Sequence, residues 1–118
     1  MNYRTLRCQL LAAIGALPST SACVAMDEMA DHTCPPEGTL LTYDNFGKAF
    51  FAHHCVYCHG GANGYSSRAL NTVENIRVQR ARIFVNSAGP NTAMPPGPDD
   101  PAQADRDRLA EWLVCGAP

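Results

Sequence analysis

In Cys55-Val56-Tyr57-Cys58-His59 two thiols lie three positions apart, with an imidazole directly behind the second. This is C-x-x-C-H, the pattern by which a c-type haem is attached. Thiols three apart share one face of a helical turn. Each can form a thioether to one of the two vinyl groups on one edge of a porphyrin, and the adjacent imidazole is then directed at the iron from one side. Other chemistries use such thiols. A thioredoxin-like dithiol wants a βαβ setting, which this chain lacks. Structural zinc needs four ligands, which Cys55, Cys58, Cys34 and Cys115 could supply, but it leaves His59 and Met94 without a role. A chance disulfide or an inert pair is the remaining reading. Haem attachment is preferred over all three.

Haem iron has two axial positions, and what fills the second sets potential and reactivity. Met94 is the candidate, 35 residues after His59 in Ala93-Met94-Pro95-Pro96-Gly97. Prolines stiffen that backbone and can hold a thioether sulfur without helix or sheet. The competing reading is an apolar plug in a loop. His53 and His54 are rival ligands, but both precede the attachment turn by one helical turn or less, so neither easily reaches the opposite haem face; they read as surface or flanking groups. His32 lies in a stretch with no helical period.

The elements that must position these groups are helical. Thr42 or Asp44 can cap a helix whose Phe46, Phe50 and Phe51 form one stripe running to about His54. Gly60-Gly61 and Gly64 then break the pattern. From Thr72 to Ser87, Val73, Ile76, Arg80, Ile83 and Phe84 recur by threes and fours, with Arg80 interrupting the apolar face, so this stretch is one helix or two short ones. Asn91 to Pro98 holds three prolines and one glycine, which forbids regular structure there and predicts a rigid loop. The last helix has Asp100 as its expected cap, Pro101 in its first turn and Gln103 as capping-box partner. Leu109, Trp112 and Leu113 make its stripe, and Gly116 its stop. No segment alternates as a strand, and the expected class is all-α.

Composition sets the frame. The chain has 118 residues, nine basic against eleven acidic, and six cysteines. That is one domain, with no Lys/Arg cluster beyond the short Arg77, Arg80, Arg82 run, so nucleic-acid binding is not expected. So many cysteines suit an exported protein. Residues 1–22 read as a signal peptide: Arg4 and Arg7, then an apolar run from Cys8 to Leu17 too short to span a bilayer, then small residues. Ser21-Ala22-Cys23 resembles a lipoprotein box, which would leave Cys23 acylated and the protein held to a membrane, while ordinary cleavage after Ala22 or Ala25 fits as well. Without residues 1–22 the remainder holds seven basic and eleven acidic residues. The expected division is a signal at 1–22, a tether and irregular segment at 23–41, and a domain at 42–118.

An attachment turn after an N-terminal helix, a Met-Pro loop and a final helix ending Leu109-Ala110-Glu111-Trp112-Leu113 together resemble a small class I cytochrome c with His/Met ligation, over about residues 40–115. The resemblance implies three to five short helices round one covalent haem c, with His59 and Met94 as axial ligands. It implies that the N- and C-terminal helices cross, Phe50 or Phe51 meeting Trp112 or Leu113, and that Phe50, Phe51, Leu70 and Trp112 pack at the haem. If those helices cross, their flanks come close, and a Cys34–Cys115 disulfide follows, worth about 4.5 kcal/mol in the chain-entropy account. The family usually has a proline-containing segment after the attachment turn whose carbonyl accepts from the proximal imidazole. This sequence has no proline between His59 and Pro90, and a carbonyl near Ala69 or Leu70 is the expected substitute. Tyr65 and Arg68 are candidates for a propionate, with solvent the commoner fate of such an arginine.

The expected function is one-electron transfer by an exported, periplasmic monomer that meets redox partner proteins transiently, and not an enzymatic reaction. Two readings from other classes stand beside it. One is a haem sensor or weak peroxidase in which Met94 is displaced, and the other a binding module held by zinc or disulfides without haem.

Overall fold

The computed structural model describes residues 26–61 and 68–118, and its helical frame opens at the cap the sequence offers. The Thr42 hydroxyl accepts the Asn45 N–H while the Asn45 side chain accepts the Thr42 N–H. This reciprocal box satisfies two donors that a helix start leaves orphaned. The first turn, Tyr43–Gly47, is wound as a π turn and runs into α1, Lys48–His54. Then come α2, Val56–His59, α3, Val73–Val78, α4, Arg80–Ser87, and α5, Gln103–Val114. No strand occurs among the described residues, and the protein is all-α.

The core forms where the π turn and α1 bring their phenylalanines onto α5. The Phe51 and Trp112 rings stand 6.1 Å apart, and Phe46 meets Trp112 edge-on. A Cβ placed on Gly47 would lie 2.7 Å from Trp112 Cη2, so a glycine is what lets the two helices approach this closely. Phe50, Leu70, Ile76, Ile83, Phe84, Leu109 and Leu113 complete one buried cluster. Truncating a residue such as Phe51 to alanine there costs about 3–5 kcal/mol.

The 72–87 stretch is two helices, α3 and α4, broken at Gln79, whose side chain leaves the helix to donate to the Ala69 carbonyl at 3.0 Å. Arg80 does not spoil the packing of its face. Its Nη1 donates to the Leu113 carbonyl at 3.2 Å, at the negative end of α5 where carbonyls lack helical partners.

At the start of α5 the expected cap is replaced. The residue before the helix is Ala102, no side chain caps it, and Asp100 sits instead 3.7 Å from Arg106. Gln103 donates to Asp107 and to the Gly89 carbonyl, so it ties α5 to the preceding loop rather than closing a capping box. The other end matches expectation. Gly116 takes φ +99°, and the Gly116 and Ala117 N–H groups donate to Leu113 and Trp112, a left-handed stop that only glycine adopts without cost.

The segment before Thr42 differs from a loose tether from Met26 onward. It is irregular apart from one 3₁₀ turn, Met29–Asp31, but it is pinned. The Asn91 amide accepts from the Asp27 N–H at 3.2 Å and donates to the Asp27 carbonyl at 2.8 Å, and His32 stacks near Phe84 while pairing with the Asp27 carboxylate. Cys34 is disulfide-bonded to Cys115, 81 positions away, so the strap is tied to the end of α5 as well. Residues 1–22, Cys23 and the cleavage sites lie outside the described residues, as do Gly64 and Tyr65. Among the described residues no helix is long and apolar enough to cross a membrane.

Candidate functional site

The attachment turn begins where α1 ends. Cys55 caps both α1 and α2, and α2 carries Cys58 and His59 on one helical turn. The two thiols are not bonded to each other. Cys55 packs against the buried cluster while Cys58 is exposed. Burial pushes the Cys55 thiol up to about 12, with the nearby Arg106 guanidinium pulling the other way. The zinc arrangement loses two of its four sulfurs to the Cys34–Cys115 disulfide, and no group of three or more His, Cys, Asp or Glu is placed to hold a metal among the described residues.

His59 is oriented by its own neighbourhood. Its carbonyl accepts the Leu70 N–H at 2.7 Å and its ring Nδ1 lies 3.0 Å from the Arg68 carbonyl. A carbonyl only accepts, so Nδ1 carries the hydrogen and the lone pair of the neutral ring is on Nε2. That is the tautomer a metal-ligating imidazole needs, with its other nitrogen held by a carbonyl. The partner is Arg68, one residue before the expected Ala69 or Leu70, and no proline is required to present it.

Met94 sits in the proline-rich loop after α4, with its side chain 43% exposed. Its backbone is fixed on both sides: the N–H donates to the Asn86 carbonyl at 2.8 Å and the carbonyl accepts from Arg106 Nη1 at 2.9 Å. Of the four side chains assigned to haem packing, Phe50, Phe51, Leu70 and Trp112 all belong to the buried cluster, and the Leu70 backbone bonds the attachment turn itself. These residues therefore suit a covalent porphyrin: two unbonded thiols, an imidazole of the right tautomer, and a thioether on an immobilised loop.

Among the rivals, His53 is exposed as expected. His54, which flanks the attachment turn as expected, is half-buried. Its Nδ1 is buried without a hydrogen-bond partner among the described residues, beside a hollow of about 240 Å³ lined by Phe50, His53, Asp105 and Arg108 among others. Burial and the adjacent His53 hold its pKa below the usual imidazole value, against the opposing pull of the Asp99 backbone and the Asp105 carboxylate.

The residue that sequence reasoning missed is Arg106. It is 2% exposed, and its Nη1 donates to Ser87, Asn91 and Met94 carbonyls. One signal was available: positions 106, 109 and 113 fall on the buried stripe of α5, and a charge on such a stripe asks for buried partners.

A helical domain built round a C-x-x-C-H turn, with a terminal-helix crossing and a methionine loop, is a c-type cytochrome domain. Residues 45–113, more than half of the chain, match the family described as cytochrome c oxidase, cbb3-type, subunit III, and the chain belongs to that family. No curated protein and no solved structure matches it.

Proposed function

We propose that this protein is a mono-haem electron carrier in which Cys55 and Cys58 form the two thioethers and His59 and Met94 are the axial ligands. The observation that carries the reading is the Nδ1 hydrogen bond from His59 to the Arg68 carbonyl, made by the residue that closes C-x-x-C-H. A haem held in this way supplies one-electron chemistry at its iron. The chain's own groups do the rest. The Arg68 carbonyl fixes the plane and the tautomer of the imidazole, and the Met94 thioether as second ligand would give a higher potential than a second imidazole. With His59 and Met94 both holding the iron, no coordination position would be left for a substrate, which favours electron transfer over a peroxidase or sensor role.

The excess of acidic residues suits brief, salt-sensitive encounters with a positively charged redox partner. The family description names an oxidase subunit, which supports an oxidase as the class of acceptor. Export to the periplasm, with Cys23 either acylated or removed, completes the proposal, and the working form is a monomer.

The test is optical. Protein made in a host that attaches haem c is expected to keep its haem through denaturation, to give a c-type spectrum in alkaline pyridine, and to show a methionine-to-iron charge-transfer band when oxidised. Absence of bound haem leads to the binding-module reading. A c-type spectrum without the methionine band leads to the sensor or peroxidase reading.

A further inference from the structure

Arg106 is a cation in the core whose nearest described carboxylate, Asp100, is 3.7 Å from Nη2 and 61% exposed. Carbonyl dipoles do most of the compensation. Nη1 lies 2.8 Å from the Ser87 carbonyl, 3.1 Å from that of Asn91 and 2.9 Å from that of Met94, so its two hydrogens are shared among three acceptors. The Ser87 carbonyl belongs to the last turn of α4, the negative end of that helix, where a cation is favoured. The Arg106 backbone carbonyl also accepts the Gly89 N–H at 2.9 Å. One residue of α5 thus grips the chain at positions 87, 89, 91 and 94.

A leucine would continue the Leu109, Leu113 stripe without the desolvation penalty of a guanidinium. What it could not do is hold residue 94. With the Met94 N–H on the Asn86 carbonyl and the Met94 carbonyl on Arg106, both polar backbone groups of that residue are fixed, and only side-chain torsions remain to place its sulfur. From this geometry we infer that Arg106 is the positioning residue for the Met94 thioether, clamping the loop from α5 so that the sulfur outcompetes other ligands. The inference rests on the reading of Met94 as an axial ligand.

The test uses holoprotein and imidazole as the competing ligand. Arg106→Met, of similar bulk but with no donors, is expected to bind imidazole roughly 10- to 100-fold more tightly than wild type, as follows from losing hydrogen bonds to a charged group, and to lose methionine band intensity. Arg106→Lys should recover part of the difference. Gly47→Ala, which crowds Trp112, weakens the fold away from the loop and should leave imidazole affinity unchanged. The clamp is overturned if Arg106→Met keeps wild-type affinity and band, or if Gly47→Ala loosens the ligand as much. If Arg106→Met does not accumulate, Arg106→Lys decides: at least severalfold tighter imidazole binding supports the clamp, and wild-type affinity overturns it. A wild-type protein without the methionine band sinks the Met94 reading itself, whereas a normal wild type with unaltered Arg106 variants sinks only the clamp.

Discussion

The attachment turn and the Met94 loop would face one iron, yet they are held in opposite ways. His59 is fixed by carbonyl and amide groups nine and eleven positions along the same chain segment, at Arg68 and Leu70. Met94 has a near neighbour in Asn86, but its carbonyl and much of its loop hang on α5, through Arg106 and Gln103. The imidazole side is therefore a local construction and the thioether side a tertiary one. Partial unfolding should free Met94 before His59, because opening the α4–α5 contact takes Arg106 from the Met94 carbonyl while the bonds of His59 to Arg68 and Leu70 do not involve α5.

The largest effect expected of that asymmetry separates the two ligands. His59→Ala should abolish accumulation of covalent holoprotein, whereas Met94→Ala should keep the covalent haem, lose the methionine band and lower the potential; haem staining of denatured gels and redox titration distinguish the two. Next, Cys34→Ser should lower unfolding free energy by up to about 4.5 kcal/mol in the chain-entropy account while leaving the methionine band intact, measured by denaturant unfolding followed at Trp112. A loss of the band in that variant would mean the strap also supports the loop. Gly47→Ala forces a methyl against Trp112, 2.7 Å away if nothing moves, and should cost about 1–3 kcal/mol, again without selecting between the ligands.

The smallest effect concerns His54. Its folded pKa is lowered from 6.5, so the unfolded chain takes up its proton first as pH falls. The stability tied to the neutral ring is fully present above 6.5 and is lost as pH drops from there through the folded value. His54→Gln should flatten that part of the stability profile in acid titrations of unfolding.

What was readable in the sequence follows the same division. The C-x-x-C-H turn, the Thr42 cap, the phenylalanine stripe and the Gly116 stop depend on residues a few positions apart, and spacing alone located them. The terminal-helix crossing and the Cys34–Cys115 bond came from family resemblance, and the fold has both. The misjudged features involve partners far along the chain. Asp100 looked like a cap, but the helix starts later and its carboxylate turns towards Arg106. The 23–41 stretch looked loose because it carries no helical period, while Asn91, 64 positions from Asp27, and the distant Cys115 hold its described part. Arg106 drew no reading of its own from the sequence, because its carbonyl acceptors lie 19, 15 and 12 positions away.

Ala117 and Pro118 have a weight out of proportion to their size. The Pro118 oxygen accepts from both the Tyr43 amide and the Trp112 indole, and the Ala117 carbonyl accepts from Arg77. Three segments that meet nowhere else in sequence thus share one small knot. Deleting Ala117 and Pro118 would strip the indole of its acceptor and unmoor α3 from the turn that leads into α1, so these two small residues should tolerate removal as poorly as the buried core tolerates truncation.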